Sequence, residues 1–195
     1  MSAIIPIELP APRVPINIRA ATPGDLSFID QLQKKHTKMV GWMPTKTLQG
    51  KIELGHVIVA EANDERLGYC IGNDRYFKRD DVGIIYQMNV VPDRQRGFIG
   101  ASLLKAMFDR AAYGCRLFCC WCAQDIEANK FWESMGFVPL AYRAGSETRG
   151  KNGGARVHIF WQKKIRGKDD PVNWWFPSKT DQGALRADRF VLPIP

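Results

Sequence analysis

Residues 82–112 read VGIIYQMNV (82–90), VPDRQRGFIG (91–100) and ASLLKAMFDRAA (101–112), and the reading of these three pieces decides the fold. The first is β-branched and partly alternating, the pattern of a strand. From the end of the second piece, Ile99, Leu103, Leu104, Met107, Phe108 and Ala111 recur at i, i+4, i+5, i+8, i+9 and i+12, one apolar face of an α-helix. Between strand and helix lies a short turn holding Arg94, Arg96, Gly97 and Gly100. The first turn of a helix leaves backbone N–H groups without acceptors at the positive end of its dipole, so small residues and cations there suit a phosphate. A P-loop would need Lys-Ser/Thr after its last glycine, and a dinucleotide fingerprint would need G-x-G-x-x-G; the chain has neither here.

On the N-terminal side, Pro6, Pro10, Pro12 and Pro15 keep residues 1–15 extended, an arm outside sheets and helices. INIRA (16–20) reads as a first strand. Thr22-Pro23-Gly24-Asp25 reads as a helix start, with Thr22 as N-cap and Asp25 completing a capping box. A second helical segment (45–54) follows Gly41-Trp42-Met43-Pro44. HVIVAEA (56–62) and RLGYCIGNDRYF (66–77) form a hairpin about Asn63-Asp64-Glu65. On the C-terminal side, CRLFCCWC (115–122) has the composition of a buried strand. Asp125 caps a helix carrying Ala128, Phe131, Trp132 and Met135 on one face, and Gly136 ends it. FVPLAYRAG (137–145) and ARVHIFWQKKI (155–165) are strands on either side of SETRGKNGG, whose glycines and asparagine suggest mobility.

The stretch V-x-P-x-x-Q-x-x-F-x-G from Val90 to Gly100 resembles the acyl-CoA-binding signature of the GNAT (GCN5-related N-acetyltransferase) family, in which turn amides hold the CoA pyrophosphate. Phe98 stands where that signature has its first glycine, with Gly97 one position early. QDIEANKFWESMGF (124–137) resembles a second motif of the family, with Asp125 in an asparagine position and Trp132 in a tyrosine position. The order β-α-α-β-β-β-α-β-α-β-β over residues 16–165 is also the family's. The resemblance implies an α/β acyl-CoA N-acyltransferase fold, a mixed central sheet with helices on both faces, followed here by a C-terminal tail packed on the domain (166–195). It implies acetyl-CoA as co-substrate, held by Met88, Val90, Gln95, Arg96, Gly97, Phe98, Ile99, Gly100 and Ala101, and by Asp125, Ala128, Asn129, Phe131 and Trp132. No metal site is expected, since the cysteines lack separated C-x-x-C pairs or nearby histidines.

Acetyl transfer to an amine needs a polarised thioester carbonyl, a deprotonated amine and a proton for the departing thiolate. The resemblance places the carbonyl donor among the backbone N–H groups of Met88 to Val90. Around it the strand offers Tyr86, Gln87 and Asn89, none a base at neutral pH, so a water chain held by them is the simplest substitute. His36 and His158 are alternative bases. Trp132 has no proton to give, which leaves Tyr142 as the nearest acid in sequence. The implied reaction is direct attack of a primary amine on acetyl-CoA. A non-catalytic CoA-binding or nucleic-acid-binding module on the same fold is the alternative, since the usual base and acid are missing.

In a chain of 195 residues, 45% hydrophobic and 25% charged, a single globular domain is expected. No apolar run is long enough to cross a bilayer, and the start does not read as a secretory signal, so a cytoplasmic protein without a membrane partner is expected. Five cysteines, three of them Cys119, Cys120 and Cys122 in one strand, fit reduced thiols used as small hydrophobes. The net charge of +8 suits a phosphate-bearing ligand. Late lysines and arginines interleave with Trp161, Trp174, Trp175 and Phe176, a pattern shared by nucleic-acid surfaces. The acceptor classes left open are a small molecule, a peptide and a nucleic-acid-bearing amine. Residues 170–195 are too aromatic to hang in water and are expected to fold back in extended form.

Overall fold

A computed structural model describes residues 15–144, 156–166, 171–177 and 192–194. The N-terminal arm apart from Pro15, the loop 146–154 and most of the tail lie outside the described residues. The elements in chain order are β1 (Asn17–Ala20), α1 (Leu26–Lys35), α2 (Thr45–Glu53), β2 (Val57–Ala62), β3 (Glu65–Asn73), β4 (Val82–Val90), α3 (Ile99–Ala111), β5 (Leu117–Ala123), α4 (Ala128–Ser134), β6 (Val138–Ala144), β7 (Val157–Lys164) and β8 (Leu192–Pro193). Every element read from hydrophobic periodicity is present. The two-residue β8 is additional, because two residues carry no period. Among the described residues no helix is long and apolar enough to cross a membrane.

The chain clusters into two compact units, and it passes from one to the other inside β4, between Ile84 and Ile85. The first unit holds β1, β2, β3 and the later part of β4, in that order, with α1, α2 and α3. Its strands pair antiparallel from β1 to β3, with Ile58 opposite Cys70 and Val59 opposite Tyr69. Alternation then sorts the side chains by face. Val57, Val59, Tyr69 and Ile71 close a core with Ile29, Leu32, Leu48 and Ile52 of α1 and α2. Ile58, Ala60 and Cys70 point the other way, where α3 packs on β2 and β3 and buries Leu103, Leu104 and Met107. The β2–β3 turn puts Asn63 and Asp64 at φ 49° and 62°, the left-handed pair a tight hairpin needs. Gly68 is required by crowding, since a Cβ there would lie 2.5 Å from the Asn89 carbonyl oxygen.

The second unit holds the start of β4 with β5, β7, β6 and β8, in that order, and α4. β7 lies antiparallel between β5 and β6, with Cys120 opposite Trp161 and Tyr142 opposite Ile159. Val82, Ile84, Leu117, Cys119, Leu140 and Phe160 form its core, completed by Val172 and Trp175 from beyond β7. Trp175 packs against Tyr76, Phe77 and Phe160, and its backbone N–H donates to Gln162 Oε1 at 2.9 Å. Trp174 is half-buried and Phe176 is 40% exposed, so residues 171–177 bury one large ring fully rather than three. All five cysteines are free and buried. Burial pushes up the thiols of Cys70, Cys115, Cys119 and Cys122, Cys115 to about 12 and Cys122 to about 11, which keeps these four protonated and inert.

Candidate functional site

The end of β4 and the turn into α3 lie wholly in the first unit. Met88 and Val90 are half-buried, and Val91 N–H donates to Leu67 O at 2.9 Å, closing the strand. Pro92–Arg94 then makes one tight helical turn, with Arg94 N–H on Val91 O at 2.9 Å and Gln95 N–H on Pro92 O at 3.2 Å. Gln95, Arg96, Gly97 and Phe98 are exposed; Ile99 and Ala101 are buried and Gly100 is half-buried. Ile99 and Ala101 thus anchor the helix start. The Ser102 N–H is taken by Phe98 O at 2.9 Å, so the N–H groups before it, in the first turn of α3, are the ones a helix leaves for other acceptors.

Phe98 is itself left-handed, at φ 60° and ψ 12°. Gly97, which could adopt such a conformation without strain, does not; the positive φ falls on Arg96, at 65°, and on Phe98. A phenylalanine thus bears a left-handed strain at this position that a glycine would not. Arg94 pairs with Glu65 at 2.8 Å, both exposed. Asp93, Arg94, Gln95, Gly97 and Ile99 also form one wall of a cleft of about 290 Å³, closed by Pro15, Ile16 and Leu67.

The three side chains expected to handle protons are placed differently from one another. Gln87 and Asn89 are buried and belong to a closed network. Asn89 Nδ2 donates to the Tyr69 hydroxyl at 2.7 Å, and that hydroxyl donates to Gln87 Oε1 at 2.9 Å. Gln87 Nε2 donates to the Gly41 carbonyl and to Gln33 Oε1. Gln33 in turn holds Met43 through both its backbone N–H and its C=O, at 3.1 and 2.8 Å. The network ties α1, the stretch 41–43 and β4 together. Burial pushes the Tyr69 phenol far up, so it stays a neutral bridge. Tyr86 is exposed, and the Lys51 ammonium of α2 sits 4.4 Å from its ring centroid. Consecutive residues of a regular strand face opposite sides. Along β4 burial alternates accordingly, with Gln87 and Asn89 buried and Tyr86 and Met88 more open. Gln33, Tyr69 and Lys51 carried no signal in the sequence, because their partners are distant along the chain.

The remaining expected residues lie in the second unit. Asp125 does not cap α4, whose N-cap is Glu127; its carboxylate pairs with Arg156 at 2.7 Å, which draws it out of the capping position. Asn129, expected on the cofactor, commits its side chain to the protein. Its Nδ2 donates to Ala123 O at 2.8 Å and Ile126 O at 2.9 Å, while Oδ1 accepts from Trp161 Nε1 at 3.0 Å. Ala128 is exposed, Phe131 half-buried and Trp132 buried edge-on against Phe131 and Phe137. Tyr142 is 39% exposed on β6. His158 Nδ1 lies 3.0 Å from Arg156 O, and burial lowers the pKa of His36 in the first unit. The basic–aromatic pattern is also resolved here. Trp161 and Trp175 are buried, and the faces of Trp121 and Trp174 carry Arg143 and Lys164 at 3.8 and 4.5 Å.

Residues 53–139 match the model of the acetyltransferase (GNAT) domain family. The chain's fold is the GNAT acyltransferase fold. Ard1 from Thermoplasma volcanium superposes with a TM-score of 0.66 at 14% identity, covering 79% of this chain and 100% of that one. The protein yncA of Salmonella typhimurium, solved with acetyl-CoA, gives 0.64 at 20% identity over 82% of this chain and 99% of its own. NAA60 of Arabidopsis thaliana, also solved with acetyl-CoA, gives 0.64 at 17% identity over 78% of this chain and 100% of its own. No curated protein sequence matches the chain.

Proposed function

We propose that the protein is an N-acetyltransferase that moves the acetyl group of acetyl-CoA to a primary amine by direct attack. The observation that carries this reading is the turn 95–100, where a left-handed residue and the open first turn of α3 follow directly on β4. Backbone N–H groups of Arg96 to Ala101 suit a pyrophosphate, and Arg96, exposed and with no carboxylate partner among the described residues, adds a cation. Two solved relatives contain acetyl-CoA. The co-substrate supplies an activated acetyl thioester. A backbone N–H among Met88 to Val90 polarises its carbonyl. The amine nitrogen forms the C–N bond, the C–S bond breaks, and the sulfur keeps the electron pair and takes a proton. With Gln87 and Asn89 engaged in the network, water at the exposed Tyr86 hydroxyl is the path by which the amine loses its proton.

The same engagement of Gln87 and Asn89 favours a second reading, a module that binds acetyl-CoA without turning it over. Calorimetry with acetyl-CoA and a thiol assay for released CoA across a panel of primary amines separate the two. Gly100→Glu places a side chain and a negative charge at the phosphate seat, so affinity for acetyl-CoA is expected to fall more than about tenfold, or about 1.4 kcal/mol. Unchanged affinity in the folded variant would remove the turn from the site.

A further inference from the structure

Lys51 is held differently from Lys34 of α1 and Lys105 of α3. Lys34 and Lys105 each reach an aspartate one turn away, Asp30 and Asp109. Lys51 has Thr47 and Gly55 at those positions, and the nearby Glu53 instead accepts from Gln49 at 2.8 Å. Lys51 is half-buried, and its ammonium's one contact among the described residues is the Tyr86 ring. A long lysine ordinarily extends its charge into water. Here it lies down on a ring whose quadrupole contributes only about 0.5–2 kcal/mol, without an anion to complete the pairing. Burial accordingly lowers its pKa.

The position of this cation gives it a use. Gln87 fixes the Gly41 carbonyl, and the same stretch leaves Met39 and Trp42 half in solvent, at 50% and 49% exposure. Tyr86, beneath Lys51, is two residues before Met88, a separation of about 7 Å along a strand. An amine reacting beside Met88 would have a substituent a few bonds away within reach of the ammonium.

We infer that Lys51 reads a carboxylate on the acceptor, so that the preferred substrate is an amine carrying a carboxylate a few bonds from its nitrogen. This rests on the transferase reading above. Lys51 is then a specificity-determining residue, and its alkyl stem is a separate matter from its charge. The carboxylate belongs either to a free amino acid or to an acidic side chain beside a peptide N-terminus.

The test measures CoA release with matched pairs: glycine against glycinamide, and a short peptide with glutamate at its second position against the same peptide with glutamine. The wild-type protein is expected to favour the carboxylate member of one pair by about tenfold or more in kcat/KM, and which pair does so identifies the source. Lys51→Met keeps the stem over Tyr86. It is expected to raise KM for the carboxylate member about tenfold, leaving the neutral member, the KM for acetyl-CoA and the melting temperature unchanged. Lys51→Arg should keep the preference. Equal use of both members of each pair, or a preference that survives in Lys51→Met, overturns the inference while the transferase reading stands. Tight binding of acetyl-CoA with no CoA released by any amine overturns the transferase reading, and this inference with it.

Discussion

Phe98 holds a backbone conformation that an L side chain adopts at a cost of about 1–2 kcal/mol, and it does so while its ring is 38% exposed. Nothing gained by so exposed a ring offsets that cost fully. Phe98→Gly should remove it, partly offset by the greater freedom of glycine in the unfolded chain, for a net gain of about 1 kcal/mol. For a chain of this size that is a rise of about 2–4 °C in melting temperature. Acetyl-CoA binding should be kept or improved, because the backbone path is the one glycine prefers. A fall in melting temperature in a thermal scan, or lost binding in the folded variant, would show that the ring is itself a contact. The sequence showed that a glycine was missing from the turn but not which residue replaces its conformation. A positive φ is a property of the closed turn, and neither Arg96 nor Phe98 advertises it.

At the scale of elements, β1, the entry to α1 and β3 are joined by one carboxylate. Asp25 is fully buried and accepts from Arg19 Nη1 at 2.8 Å, from Arg66 Nε at 2.6 Å and from the Thr22 N–H at 2.8 Å. The Arg19 guanidinium, against the opposing effect of burial and with help from Thr22 and Arg66, holds its pKa far below the usual carboxylate range. The folded value is therefore below the unfolded one, about 3.9, and the unfolded chain takes up the proton first as pH falls. Its contribution is complete above about pH 4 and is lost progressively below it. Asp25→Asn strands two guanidinium groups that keep some solvent access, so a loss of about 3 kcal/mol at neutral pH is expected, the low end for a broken buried pair. Thermal scans from neutral pH into acid should show the variant less stable at neutrality and with a flatter acid limb; an acid limb parallel to that of the wild type would contradict the assignment. The capping box at Thr22 and Asp25 was legible because it is local, three residues apart. Arg66 was not, and neither was the chain from Asn89 through Tyr69 and Gln87 to Gln33, whose members are distant in sequence and meet only after the strands pair. Periodicity exposes elements; it is silent on which buried polar groups will satisfy each other.

At the scale of the whole molecule, the chain beyond β7 contributes to a core that the family motifs do not contain. Val172 and Trp175 are among the buried residues of the second unit, at 7% and 5% exposure, and Trp175 lies within ring contact of Tyr76, Phe77 and Phe160. Its N–H also satisfies Gln162 Oε1, an oxygen of a fully buried side chain that would otherwise be unpaired. Aromatic density after the last expected strand was visible in the sequence, but the choice of Trp175 over Trp174 and Phe176 depends on which ring the Tyr76–Phe77 turn receives. Trp175→Ala keeps the backbone donor and removes only the ring, so the loss is a cavity in that core, about 3–5 kcal/mol. The melting temperature should drop by about 10 °C on the scale of roughly 2–4 °C per kcal/mol. The turn 95–100, proposed to bind the co-substrate's phosphates, belongs to the other unit, so calorimetric affinity for acetyl-CoA at a temperature where the variant is folded should match the wild type. An unchanged melting temperature would show that the ring is dispensable to the core, while weakened acetyl-CoA binding would show that the segment 171–177 acts on the co-substrate as well as on stability.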